Sequence, residues 1–246
     1  MADVPTPIRI AMWSGPRNIS TAMMRAWENR PDTAVIDEPL YAFYLQRTGK
    51  DHPGAKKIVA QCETDVGKII AHLTGPAPNG RRVFYQKHMT HHLLPEVDRE
   101  WLGQITNCFL IRDPAEVIAS YAKKDVDLAL ADLGFIQQLE IFNWVRERSR
   151  AAPPVIDAKD VLQNPERVLR LLCQAVGIEF DHAMLSWPPG LRDTDGIWAE
   201  YWYDEVARST SFQPYRSKAS SVPEQFREIH ERCRECYQEL HALRLK

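Results

Sequence analysis

The sequence predicts a three-layer α/β/α domain around a central, mainly parallel sheet, and three observations lead there. Short apolar runs alternate with longer stretches of helical spacing. The strand-like runs are separated by whole helices, as parallel crossovers require. The chain of 246 residues is long enough for one substantial core with helical additions.

The elements follow in order. Ile8, Ile10 and Met12 form a first apolar run, stopped by Ser14-Gly15-Pro16, and from Ser20 onward Ala22, Met23 and Ala26 take up helical spacing. Residues 33 to 37 read as a second strand, ended by Glu38-Pro39 because proline restricts the backbone before it. Ile58, Cys62, Val66, Ile69, Ile70 and Leu73 predict one amphipathic helix over residues 56 to 73. A breaker cluster at residues 75 to 80 precedes a strand from Arg82 to Gln86. Another buried strand is expected from Ile105 to Ile111, then a helix from Pro114 to about Lys123. A helix over 135 to 150 leads to a strand at 153 to 157, and Asn164-Pro165 opens a helix with Val168, Leu171, Leu172 and Ala175 on one face. Residues 186 to 222, rich in Pro, Ser, Thr and Trp, read as a lid or loop before a final helix from about 223 to 244. No repeat or linker divides residues 1 to 246, which are expected to form a single domain.

Composition narrows the function classes. Hydrophobic content of 44% and charged content of 26% are those of an ordinary globular protein, and a net charge of −2 argues against a nucleic-acid partner. The N-terminus lacks a basic segment followed by an apolar one, and no stretch is long enough to span a bilayer, so a cytoplasmic protein without a membrane partner is expected. Five scattered cysteines do not form a disulfide framework, and Cys233-x-x-Cys236 sits in a charged helical tail where a redox role is not expected.

The strand, polar loop and helix over residues 8 to 21 have the layout of a phosphate cradle. The first-turn N–H groups of the helix, aided by its dipole, point at an anion, and Arg17 adds a positive fork. The loop lacks the second Gly and the Lys of the usual nucleoside-triphosphate loop. It resembles instead the 5′-phosphosulfate loop of sulfotransferases, P-[KR]-S-G-[ST]-T, here Pro16-Arg17-Asn18-Ile19-Ser20-Thr21. Asn18 and Ile19 replace the usual Ser-Gly, and β-branched Ile19 cannot comfortably take a positive φ.

Three further segments resemble that family in the same order. Arg112-Asp113-Pro114, with Ser120 in the following helix, resembles its 3′-phosphate segment; Lys87 to Pro95 resembles its T-H-L-P-x-x-L-L-P segment; residues 160 to 165 resemble its E-D-L-x-x-N-P segment. The resemblance implies a fold like that of the P-loop nucleoside triphosphate hydrolases. It also implies 3′-phosphoadenosine 5′-phosphosulfate as co-substrate, no obligatory metal, and transfer of a sulfuryl group to a hydroxyl or amine of a small-molecule acceptor.

By that resemblance residues 16 to 21, Arg112 and Ser120 bind the nucleotide, and Arg216 and Lys218 could replace the missing R-K-G loop. Two residues compete as base. His88 aligns with the family's catalytic histidine and is slightly favoured; Glu38 stands where bacterial carbohydrate-type enzymes carry a catalytic Glu. Tyr41, Tyr44, Trp198 and Trp202 are candidate acceptor-binding aromatics. His88, His91 and His92 lack a carboxylate or Cys at ligand spacing, so no metal is expected. A nucleotide-dependent kinase or hydrolase, and an inactive sensor of the phosphoadenosine product, are the alternative readings.

Overall fold

Five parallel strands form one sheet in the order β2-β3-β1-β4-β5: β1 Ile8–Ser14, β2 Thr33–Asp37, β3 Val83–Met89, β4 Thr106–Ile111 and β5 Val155–Asp157. The computed structural model describes residues 6–121, 128–216 and 222–246. Because successive side chains of a strand point to opposite faces, the sheet feeds two separate cores. On one face Ile10, Met12, Tyr85 and Leu110 pack against Met23, Met24 and Trp27 of the Ser20–Glu28 helix and against Leu169 and Leu172 of the Pro165–Ala175 helix. On the other, Ala11, Trp13 and Phe109 meet Leu73 of the Val66–Thr74 helix, Ile141 and Phe142 of the Phe135–Arg148 helix, and Leu240 of the Arg227–Ala242 helix.

All five expected strands are present. β3 runs three residues beyond the expected Gln86, which brings Lys87 and His88 into the sheet on opposite faces. The single helix expected over 56 to 73 is two, Ala55–Gln61 and Val66–Thr74. Asp65 divides them: its carboxylate accepts from the N–H groups of Gly67 and Lys68 and caps the second helix. Glu63 accepts from the N–H groups of Thr64 and Asp65 and holds the break open. Apolar periodicity carried across this break because Cys62 and Val66 happen to keep the phase.

Residues 186 to 216 carry two short helices, Ala199–Trp202 and Asp204–Ala207, and an antiparallel bridge between Ser186 and Ser211. Trp187 and Phe212, edge to face at 5.1 Å, join the first core. The segment is also tied to the Ser20–Glu28 helix: fully buried Arg25 makes a bidentate pair with Asp195 at 2.6 Å, and Glu28 accepts from Arg192 and Thr194. These anchors fix the chain that crosses the C-terminal edge of the sheet.

Candidate active site

The loop expected to cradle a phosphate lies where β1 meets the Ser20–Glu28 helix. Arg17 takes the positive φ, 55°, while Ile19 lies at φ −90°, a value open to a β-branched residue. Gly15 is needed for a different reason: a Cβ there would lie 2.7 Å from the Leu133 carbonyl oxygen. Asn18 staples the loop to the sheet, donating to the Leu110 carbonyl at 3.1 Å and accepting from the Ile19 N–H at 2.8 Å. No side chain caps the following helix, so its first-turn donors stay available to an anion. Ser20 is buried and Thr21 half-buried at that turn. Pro16 and Gln138 line a small pocket with Gly15, Asn18 and Arg112, Gln138 donating to the Trp13 and Leu110 carbonyls.

The segment expected to bind the 3′-phosphate meets that loop. Arg17 Nε donates to Ser120 Oγ at 3.0 Å, and Arg112 Nη1 donates to the Arg17 carbonyl at 2.9 Å. Arg112 also pairs with Glu116 at 3.0 Å, and Glu116 accepts from the Tyr215 hydroxyl at 2.7 Å. Tyr215 thereby brings the segment holding exposed Arg216 toward this end of the sheet. Lys218 lies outside the described residues.

The two candidate bases are separated. His88 points to the face opposite Lys87, where its ring stacks on Trp13 at 4.3 Å and leans on Trp101. It is 1% exposed, and burial, aided by the Lys87 charge, pushes its pKa down to about 3. A base needs reach to the acceptor proton and affinity for it; this ring is sealed in a core and has lost most of that affinity. The family resemblance slightly favoured it over Glu38; in the structure its ring lies within the core, against Trp13 and Trp101.

Glu38 sits instead at the C-terminal end of β2, with a strained φ of 39°. β2 is two strands from β1, about 10 Å at the usual strand spacing, and both chains leave the sheet at the same end. Lys87 Nζ bonds Glu38 Oε1, Asp37 Oδ1 at 2.8 Å and the Tyr203 hydroxyl at 2.8 Å. Tyr203 donates to Asp37 Oδ2 at 2.7 Å, and the Gly196 N–H adds a bond to the same oxygen at 3.0 Å. Burial raises the Glu38 pKa, Lys87 pulls it back and Asp37 pushes it up again, leaving it above an ordinary carboxylate. Burial opposes the Lys87 charge, but Asp37, Glu38 and Tyr203 outweigh it and hold the ammonium well above its usual pKa.

Around Glu38 the expected aromatics divide. Tyr41 stacks on His92 at 4.7 Å and meets Trp198 edge-on at 5.1 Å, while Tyr44 lies 4.8 Å from His92 and 5.4 Å from His91. Trp202 is exposed and touches His52 edge-on at 6.4 Å. A cavity of about 370 Å³ opens beside Glu38, with Pro39, Ala42, Cys62, Ile69 and Trp198 in its wall. Asp37, Lys87, Tyr203 and His92 were not singled out as site residues from sequence. The only signal was local, an acidic pair closing a strand and a lysine in the next one.

The histidine cluster has a consequence for stability. Burial lowers the pKa of His91 to about 4 and of His88 to about 3, and depresses His92 further below 6.5. The unfolded chain therefore takes up these protons near 6.5, the folded chain only at the lower values, so stability is full above 6.5 and falls toward 3. Each histidine contributes a slope of at most about 1.4 kcal/mol per pH unit, between its unfolded and its folded pKa. Glu38 and Asp157, whose pKa values burial raises, work in the opposite sense and reduce the net slope. Urea midpoints are expected to drop between about pH 7 and about pH 4; a flat profile would contradict neutral, buried imidazoles.

Among the described residues no group of three His, Cys, Asp or Glu side chains is arranged to hold a metal, and no helix is long and apolar enough to cross a membrane.

A family model described as a sulfotransferase domain matches residues 8–228. Two Arabidopsis thaliana proteins named branched-chain-amino-acid aminotransferase-like protein 2 and 1 are 30% and 32% identical over 93% and 88% of the chain. The chain spans only 40% and 39% of their lengths. Among solved structures, the sulfotransferase domain of the Synechococcus PCC 7002 olefin synthase covers 93% of this chain and 94% of its own at TM-score 0.52 and 18% identity. The sulfotransferase domain from the curacin biosynthetic pathway covers 93% and 96% at TM-score 0.53 and 16% identity. A sulfotransferase from Alicyclobacillus acidocaldarius covers 98% of both chains at TM-score 0.54 and 12% identity. At these identities the likeness is one of fold.

Proposed function

This chain belongs to the sulfotransferase domain family, and from that premise we propose that it moves a sulfuryl group from 3′-phosphoadenosine 5′-phosphosulfate to a hydroxyl or amine of a small-molecule acceptor. The observation that carries the reading is the meeting of two phosphate segments far apart in sequence, Arg17 on Ser120 and Arg112 on the Arg17 carbonyl, beside an uncapped helix start. The donor set fits the group: two guanidinium forks, hydroxyls and unpaired backbone N–H groups all favour phosphate and sulfate oxygens.

In this reading Arg17, the first-turn N–H groups, Ser20 and Thr21 hold the 5′-phosphosulfate, and Arg112 and Ser120 hold the 3′-phosphate, with Arg216 and Lys218 as further cations. The bound nucleotide would supply an activated sulfuryl group with phosphate as its leaving group. Arg17 and the helix dipole stabilise charge that develops on that phosphate. Glu38 takes the acceptor's proton, held in place by Lys87.

Calorimetry with 3′-phosphoadenosine 5′-phosphate, against ADP and against ATP with Mg²⁺, tests the nucleotide site. Affinity that depends on the 3′-phosphate is expected. Arg112→Ala should weaken it about 10- to 100-fold, the value of a charge-assisted contact. Unchanged affinity in the variant would remove Arg112 from the 3′-phosphate, and a preference for ATP with Mg²⁺ would move the protein to phosphoryl transfer.

A further inference from the structure

Arg112 can offer an anion two edges of its guanidinium, and both are engaged. The Nη1 end donates to the Arg17 carbonyl at 2.9 Å. The Nε–Nη2 edge, a side-on fork suited to a phosphate, holds Glu116 Oε2 at 3.0 Å from each nitrogen. The other oxygen of Glu116 accepts from the Tyr215 hydroxyl at 2.7 Å, and Lys159 Nζ lies over the Tyr215 ring at 5.4 Å from its centre. Arg112 is 27% and Glu116 16% exposed, so water screens the pair only in part. Glu116 and Ser120 stand four positions apart on one face of the Pro114–Tyr121 helix. A carboxylate therefore fills the fork of one residue assigned above to the 3′-phosphate, one helical turn from the other.

We infer that Glu116 is an internal competitor for Arg112: it fills the fork until a 3′-phosphate displaces it, and its return speeds release of the nucleotide. The inference rests on the nucleotide assignment proposed above. One guanidinium edge pairs with one anion at a time, and a carboxylate left in contact with a phosphate would repel it. A 3′-hydroxyl carries no charge, so a nucleotide ending in one leaves Glu116 on Arg112. A 3′-phosphate brings nearly two charges and three acceptor oxygens against the single charge of Glu116, and takes the fork. Separating Glu116 from Arg112 is a cost in every such binding event, which sets the affinity below what the donors alone would give. Tyr215 raises that cost, because its hydroxyl and Arg112 grip the two oxygens of one carboxylate at once.

Calorimetry with 3′-phosphoadenosine 5′-phosphate and with adenosine 5′-monophosphate, which lacks only the 3′-phosphate, tests the competitor. Glu116→Gln keeps the size of the side chain and removes its charge. It should tighten the 3′-phosphorylated nucleotide about 10-fold, mostly through slower dissociation in stopped-flow displacement, and leave the monophosphate within about twofold. Tyr215→Phe should act in the same direction by about threefold. In an Arg112→Ala background the gain from Glu116→Gln should vanish.

The opposite sign has a plain meaning. Weaker or unchanged binding of the 3′-phosphorylated nucleotide by Glu116→Gln would make Glu116 a support for Arg112 or a bystander, and would overturn the inference while leaving the nucleotide site intact. An equal gain for the monophosphate, or a gain that persists without Arg112, would overturn it too. Should the urea midpoint show that Glu116→Gln does not fold, Tyr215→Phe decides by the same sign. No dependence on the 3′-phosphate, in wild type and variants alike, would overturn the nucleotide assignment and the inference together.

Discussion

Glu38→Gln is expected to lower kcat by about 10²- to 10⁴-fold while leaving affinity for 3′-phosphoadenosine 5′-phosphate within about twofold. The amide keeps the size of the side chain and can still accept from Lys87, so what it loses is the ability to take a proton. Because burial holds the Glu38 pKa above the carboxylate norm, the acid limb of wild-type kcat/KM should lie above the pH at which an ordinary glutamate titrates. His88→Gln provides the contrast. Its ring is shut into the core between Trp13 and Trp101, so its replacement should move the urea midpoint far more than the chemistry of the folded fraction. Full turnover by Glu38→Gln, with kcat lost in His88→Gln, would return the base to the histidine.

The second large effect is on stability. Lys87→Met is expected to cost about 3 to 5 kcal/mol, because it strands Asp37 and Glu38 as buried carboxylates without their cation. Lys87 and Asp37 are each 1% exposed, so solvent does little to screen the loss. The Tyr203 hydroxyl still donates to Asp37, which leaves Glu38 as the group most exposed to the change. Urea unfolding reads the cost directly. The double variant Asp37→Asn with Lys87→Met should recover part of it, since a charge is removed together with its partner. An unchanged midpoint in Lys87→Met would show that the cluster is solvated and does not hold Glu38 in place.

The half of the site proposed to hold phosphate was legible in the sequence as a local layout, and the carboxylate and lysine cluster around Glu38 was not. A strand followed by a polar loop and a helix start is a local pattern, and so is an arginine closing a buried strand ahead of a proline. Each motif names its own chemistry before anything folds. The base was harder, since His88 and Glu38 each matched a segment, and neither segment says which face of the sheet its side chain will take. One residue of strand decides that: Lys87 and His88 are neighbours in β3, yet one closes the carboxylate cluster and the other disappears into a core.

By itself, then, the sequence determined the parallel α/β architecture, the order of the strands along the chain and the strand-loop-helix layout proposed to cradle the phosphate, because periodicity, breakers and helix starts act over a few positions. Tertiary structure alone decided that Arg17 reaches Ser120, that Asp195 and Tyr203 tie a distant segment to the helix and strand ends, and that Lys87 closes on Asp37 and Glu38. Those pairs are separated by up to 170 positions, and no local rule sets the distance between side chains that only the packed sheet brings together.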